Sequence, residues 1–306
     1  MKLLLLGGDG QLGQRLMQSL APLGEVVATT LGGTLVDDTA CERLDLTDLD
    51  AIAPLIERIA PDVVVNATAH TAVDKAESEP DLAHRINADA PARIAAACAA
   101  RDAWLVHYST DYVFDGQGTQ PYRETDPTGP RSVYGRSKRA GEEAIERSGA
   151  RHLIFRTAWV YDVHGHNFLR TMLRVGAERD ELRVVDDQVG TPTPAWLLAD
   201  TTATILRRPA QHSGLWHLTA TGRTSWFGFA NAIFEGAVQR GLLAKAPRVV
   251  AIPSSEYPTP AARPAFSVLD TTKIQQDFDI VLPEWRDALS QTLDRMAQSL
   301  ASTGEV

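Results

Sequence analysis

Leu3 to Leu6 is an unbroken apolar run that stops at two glycines, which predicts a short strand buried on both faces. From Gln11, apolar residues recur at Leu12, Leu16 and Leu20 before Pro22 and Gly24, a helical spacing followed by stop signals. The alternation then continues. EVVAT predicts a second strand, DLDAIAPLIERIAP a helix, DVVVNAT a strand, and PDLAHRINADAPARIAAACAARD a helix with a break at Pro91. WLVHYS predicts a fourth strand, Tyr134 to Arg147 a helix, and HLIFRTAWVY a fifth strand. Strands alternating with helices predict an α/β protein with a Rossmann-type, doubly wound parallel sheet. Past residue 160 the alternation loosens, and a smaller C-terminal α/β domain is expected there. SSEYPTPAARPAFSVLD reads as a loop, residues 284–300 as a final helix, and the last six residues as a frayed end.

The chain has 306 residues, 44% apolar and 23% charged, with a net charge of −9. This is the composition of an ordinary globular protein. The negative charge argues against nucleic-acid binding and against a polybasic membrane surface. Cys41 and Cys98 form no C-x-x-C pair, so both read as buried small apolar residues in a reducing compartment. The apolar run near the start is shorter than the roughly seven residues of an export signal, and no segment has the length of a membrane span. A cytoplasmic location is the expectation.

Candidate chemistry begins with GGDGQLG, where Gly7, Gly10 and Gly13 lie between the first strand and the first helix. Glycines in that context allow a tight turn, close approach to a pyrophosphate, and close packing of helix on sheet. The helix start then offers unpaired N–H groups to the anion. The second strand ends in Thr29 and Thr30, where a carboxylate would favour a cofactor without a 2′-phosphate. NADPH is therefore tolerated, and no neighbouring arginine in the sequence adds a clamp. Asp45 and Leu46 in LDLTD follow a possible short strand; the spacing fits either an adenine border or a helix start. VYGRSKRAGE places Tyr134 four residues before Lys138, so both lie on one helical face. A cation there would favour the tyrosinate. Taken alone, the pair equally suits an amphipathic helix with a snorkelling lysine.

Further blocks occur in order: VVNATAHTAVDKAE, VHYSTDYVFDG, LIFRTAWVY, DQVGTPT and YPTPAARPAFSVLD. With the glycine loop and VYGRSKRAGE, this set resembles the dTDP-4-dehydrorhamnose reductases of the extended short-chain dehydrogenase/reductase class, from Met1 to about Leu300. The resemblance implies an NADP(H)-binding domain over residues 1–158, joined by part of 190–222, and a mainly sugar-nucleotide-binding domain over 159–306. It implies Thr110, Tyr134 and Lys138 as the catalytic trio. Gly10, Gln11 and Leu12 would lie on the pyrophosphate, and Thr30, Asp45 and Leu46 at the adenosine end. Ala69, His70, Thr71 and Tyr108 would lie near the ribose and nicotinamide. Thr110, Asp111 and Trp159 would touch the dTDP-sugar, with Gln188 and Arg263 at its nucleotide end. The reaction implied is reduction of a C4 sugar ketone by NADPH, with NADH also accepted. Tyr134 would supply the proton and Lys138 would lower its pKa. Some relatives join subunits through Mg²⁺ held by acidic side chains. Two of those positions carry Arg15 and Trp196 here, so no metal bridge is expected, and the chain is expected to be a monomer or a metal-independent dimer.

The rivals are a sugar-nucleotide dehydratase or epimerase and a non-catalytic NADP-binding regulatory subunit. A dehydratase of this fold carries an Asp-Glu pair after the threonine, whereas Tyr112 follows Asp111 here. Other polar residues read blandly. His164 and His166 suit a polar loop, and His107 a satisfied core histidine. Asp74, Lys75 and Glu77 suit a helix start, and Trp196, Trp216, Trp226 and Trp285 suit packing.

Overall fold

The computed structural model describes residues 1–208 and 213–303. Strands β1 (Lys2–Leu6), β2 (Glu25–Thr30), β3 (Glu42–Arg43), β4 (Val63–Asn66), β5 (Trp104–Thr110) and β6 (Arg151–Thr157) form a parallel sheet. A seventh strand, Gly214–His217, pairs parallel with β6 at one edge. From that edge the order runs β6, β5, β4, β1, β2, β3. The chain therefore reverses direction across the sheet between β1 and β4.

Both faces are covered, which is why β1 is an apolar run rather than an alternation. Leu3 and Leu5 pack with Leu16 and Leu20 of the helix Gln11–Leu20 and with Leu197 and Leu198 of the helix Ala195–Leu206. Leu4 and Leu6 face the other way, onto Ile56, Ile94 and Ile145 of the helices Ile52–Ile59, Ala90–Ala100 and Val133–Arg147. Beside this body, strands Glu181–Val185 and Arg248–Ile252 pair in parallel. Helices Phe168–Glu178 and Trp226–Gln239 pack with them around Leu182, Val184 and Phe234.

Several local expectations change. The long helix expected from Pro80 does not break at Pro91; residues Arg85–Asp89 widen into a π turn just before it. Such a turn displaces a side chain from the helical row, and Asn87 there reaches across to the backbone of His70. HLIFRTAWVY is not one strand. Trp159 has a left-handed backbone, φ 48°, so β6 ends at Thr157 and Val160–Tyr161 pairs separately with Thr193–Pro194. Cys98 is buried, but Cys41 is only half-buried. The final helix, Trp285–Thr303, reaches past residue 300, and the rest of the expected frayed end lies outside the described residues. Among the described residues, no helix is long and apolar enough to cross a membrane.

Candidate active site

The reversal between β1 and β4 leaves a crevice at the strands' carboxyl ends, where ligands of doubly wound sheets bind. A cleft of about 660 Å³ opens there, walled by the loops after β1, β4 and β5, the start of the helix Val133–Arg147, and Trp159 and Trp226.

The glycine loop forms one end, with Gly7, Gly10, Gln11 and Leu12 lining the cleft. Gly7 has φ 84°, a conformation that L side chains rarely adopt. A Cβ at Gly13 would lie 1.8 Å from the Gly7 carbonyl oxygen, so Gly13 is needed for the helix to approach the turn. Gly10 begins the helix with no side-chain cap, leaving its first N–H groups for an anion. This cradle fits a dinucleotide pyrophosphate.

Thr30, Asp45 and Leu46, expected at the adenosine end, are engaged within their own loops or buried. The buried Thr30 hydroxyl accepts from the N–H groups of Gly33 and Thr34 and donates to the Thr34 carbonyl, anchoring the loop after β2. Asp45 binds the N–H and hydroxyl of Thr47, which with Arg43 and Arg85 nearby holds its carboxyl below the usual range. Leu46 is buried. None of Thr30, Asp45 and Leu46 lines the cleft itself. The sheet places exposed Arg43 opposite Thr30 across β2 and β3, a neighbouring arginine the linear spacing did not reveal.

A second wall of the cleft is built by β5 and the helix Val133–Arg147. Ser132 caps that helix by accepting from the Gly135 N–H at 3.0 Å, and Glu77 accepts from the Val133 N–H at 2.8 Å. A Cβ at Gly135 would lie 2.3 Å from the Tyr112 carbonyl oxygen. The close approach brings the Tyr134 ring edge-on to Tyr112, centroids 5.6 Å apart. Thr110, Tyr134, Lys138 and Tyr108 all line the cleft. Burial pushes the Tyr134 hydroxyl up to about 12, Thr110 working against this and Asp111 with it, so the ring is a proton donor at neutral pH. Lys138 does not act on it as expected: its Nζ lies against the His107 ring and the Tyr108 carbonyl. Burial lowers that lysine to about 8, opposed by Glu142. Glu142 is held bidentate by Arg156 of β6 at 2.8 and 2.7 Å.

Ala69 and Thr71 line the cleft after β4. His70 contributes its backbone elsewhere, its N–H donating to Asn87 and its carbonyl accepting from it. Asp111 lies on the wall, fully buried, its Oδ1 accepting from the Thr110 hydroxyl at 3.0 Å and its Oδ2 without a partner. Burial pushes this carboxyl up to about 6, against Ser267 and Thr110. Trp159 stacks on Trp226 at 3.5 Å with planes 4° apart. Trp226 therefore lines the cleft and is not simple packing, and sequence spacing gave no sign of the pairing. Gln188 accepts from the Trp226 indole N–H and donates to Ser254. Arg263 binds Asp74 at 2.7 Å, and Asp74 also accepts from the Ala261 N–H. Asp74 thus ties the loop after residue 258 to the sheet domain and does more than start a helix.

Arg15 is paired with buried Asp162 through two bonds of 2.6 Å. The Trp196 indole donates to Thr292, with Arg295 over its ring. A guanidinium and an indole supply no oxygen ligand, so these positions do not fit a magnesium ion. His166 lines the cleft, and among the described residues no group of three or more His, Cys, Asp or Glu side chains is placed to hold a metal.

A family model described as "RmlD substrate binding domain" matches residues 1–298. A dTDP-4-dehydrorhamnose reductase of Escherichia coli strain K12 is 46% identical over 304 residues, covering 98% of this chain and all of the relative. A crystal structure of a dTDP-4-dehydrorhamnose reductase from Clostridium acetobutylicum superposes with a TM-score of 0.87 at 37% identity, covering 97% of this chain and 99% of that one. One from Bacillus anthracis in complex with NADP gives 0.87 at 31% identity, covering 96% and 99%.

Proposed function

The chain belongs to the dTDP-4-dehydrorhamnose reductase family, and from that premise we propose that it reduces the C4 ketone of dTDP-4-dehydro-L-rhamnose to dTDP-L-rhamnose with NAD(P)H. The observation that carries this reading is Thr110, Tyr134 and Lys138 on one wall of a cleft whose far end is an uncapped, glycine-built helix start. A bound nicotinamide supplies the hydride that the sugar carbon accepts. Gly7, Gly10, Gln11, Leu12 and Gly13 form the pyrophosphate cradle, and Ala69, Thr71 and Tyr108 border the cofactor's reactive half. Thr110 hydrogen-bonds the ketone oxygen. Tyr134, kept protonated by burial, gives that oxygen its proton. Lys138 holds the nicotinamide ribose in its ammonium form. Asp111, Trp159 and Trp226 face the sugar, while Gln188 and Arg263 support that wall from behind through Trp226, Ser254 and Asp74.

NADPH is used at least as well as NADH. Thr30 brings no carboxylate to the end of β2, and Arg43 beside it offers a cation to a 2′-phosphate. Subunits, if they associate, do so without a magnesium bridge, since Arg15 and Trp196 already have other partners. Where a dehydratase would have its glutamate, Tyr112 packs edge-on against Tyr134, which favours reduction over elimination.

The test is cofactor oxidation with and without the 4-keto sugar nucleotide, for the chain and for Tyr134→Phe. Oxidation that needs the keto sugar and falls by about two or more orders of magnitude in the variant, with NADPH binding retained, supports the reading. Equal turnover in the variant contradicts it.

A further inference from the structure

Strand β5 carries a buried histidine that the steps of the reaction do not use. His107 is fully buried, and the sheet register sets it opposite Asn66 on β4. The orientation of the Asn66 amide is fixed from the far side. The Thr68 backbone N–H can only donate, and it lies 3.1 Å from Asn66 Oδ1. Asn66 Nδ2 therefore faces His107 Nδ1, at 3.2 Å, as a donor. A ring nitrogen that accepts carries no proton, so the neutral ring bears its proton on Nε2. Nε2 lies 3.2 Å from Lys138 Nζ, and Nζ lies 2.6 Å from the Tyr108 carbonyl oxygen. An ammonium has no lone pair to receive the Nε2–H, whereas a neutral amine has one and still donates to the carbonyl. The chain Thr68, Asn66, His107, Lys138, Tyr108 is satisfied from end to end when the lysine is neutral.

We propose that His107, locked in its Nε2–H tautomer by Asn66, is a positioning residue that favours the neutral amine form of Lys138 against β5. Its consequence for activity rests on the NADPH-dependent reading above; its geometry does not. Burial acts in the same sense, lowering both His107 and Lys138. Of the charged groups around the lysine, Glu142 on its own helix opposes this, but its carboxylate is bound by Arg156 of β6. Asp111 at the end of β5 bears on Tyr134 and Tyr112, and Glu77 of the helix Val73–Ser78 binds the Val133 N–H. On cofactor binding, the ribose hydroxyls compete for Nζ, and the amine takes one proton from solvent to become the ammonium that grips them.

Two measurements test this. Heteronuclear NMR of the histidine side chains needs no cofactor; it should show His107 protonated at Nε2 and bare at Nδ1, and the opposite tautomer overturns the proposal. Calorimetry of NADPH binding, just above the lysine's value of about 8 and in buffers of different ionisation enthalpy, should show uptake of a substantial fraction of a proton. In His107→Gln, whose amide oxygen can accept from an ammonium, the uptake should fall by more than half while the fold, followed by circular dichroism, is retained. Equal uptake in both proteins overturns the proposal. Failure of NADPH to bind at all would instead sink the reductase reading, and the tautomer would still decide the role of His107.

Discussion

Replacing Asp111 with Asn separates the stability of the fold from the chemistry of the cleft. The carboxyl is fully buried, one oxygen has no partner, and burial pushes it from 3.8 to about 6. That displacement corresponds to a ceiling of about 3 kcal/mol. The sign follows from proton counting. Between about pH 4 and about pH 6 the folded carboxyl binds more proton than the unfolded one, so wild-type stability falls as pH rises through that window. Above it the full penalty of a buried carboxylate is present. The amide keeps an oxygen for the Thr110 hydroxyl, carries no charge, and can bond the Ser267 hydroxyl, which both donates and accepts. Asp111→Asn should therefore be more stable by about 1–3 kcal/mol at neutral pH, roughly 1.5–5 °C in Tm for a chain of this length. The gain should vanish toward pH 4, and turnover should fall because the group lines the cleft proposed to hold the sugar. Thermal melts of both proteins across pH 4–8 measure it. A stability difference that is flat over the whole range, or a destabilised variant at neutral pH, would refute the reasoning.

Arg43→Ala should lower kcat/KM for NADPH by roughly ten-fold while leaving NADH within about two-fold; equal losses with both cofactors would remove Arg43 from the 2′-phosphate. Trp226→Leu takes away the face on which Trp159 stacks and should raise the KM for the sugar nucleotide about two- to ten-fold, with kcat little changed; steady-state kinetics read this, and an unchanged KM refutes it. Chelation with EDTA and addition of magnesium should leave both activity and light-scattering mass unchanged; a mass that halves with loss of activity would show a metal bridge despite Arg15 and Trp196.

The parts of the fold legible in the sequence were those fixed by local pattern. Buried strands such as LLLL and DVVVN are apolar because both faces are covered, and the helix Val133–Arg147 follows a serine cap and carries Tyr134 and Lys138 one turn apart. What stayed hidden depends on partners distant in the chain. Trp226 reads as packing until it meets Trp159 across 67 positions, and Trp159 itself turns left-handed where a continuous strand was expected. Asn87 leaves the helical row in a π turn to bind His70. Arg43 reaches Thr30 only through sheet register. His107 looks like a core residue by its apolar neighbours, and its contact with Lys138 needs both β5 and the helix in place. The reaction class came from the long family-specific blocks, because glycine spacing and the Tyr-Lys pair are shared across many reductases.

The central claim is that this cleft transfers hydride to a sugar carbonyl and protonates the oxygen from Tyr134. The most direct measurement uses NADPH carrying deuterium at the transferable position, mixed with the chain and the 4-keto sugar nucleotide, followed by mass spectrometry and NMR of the product. One deuterium is expected on C4 of dTDP-L-rhamnose for each NADPH oxidised. A product without the label, or a sugar altered with no net oxidation of NADPH, would contradict it.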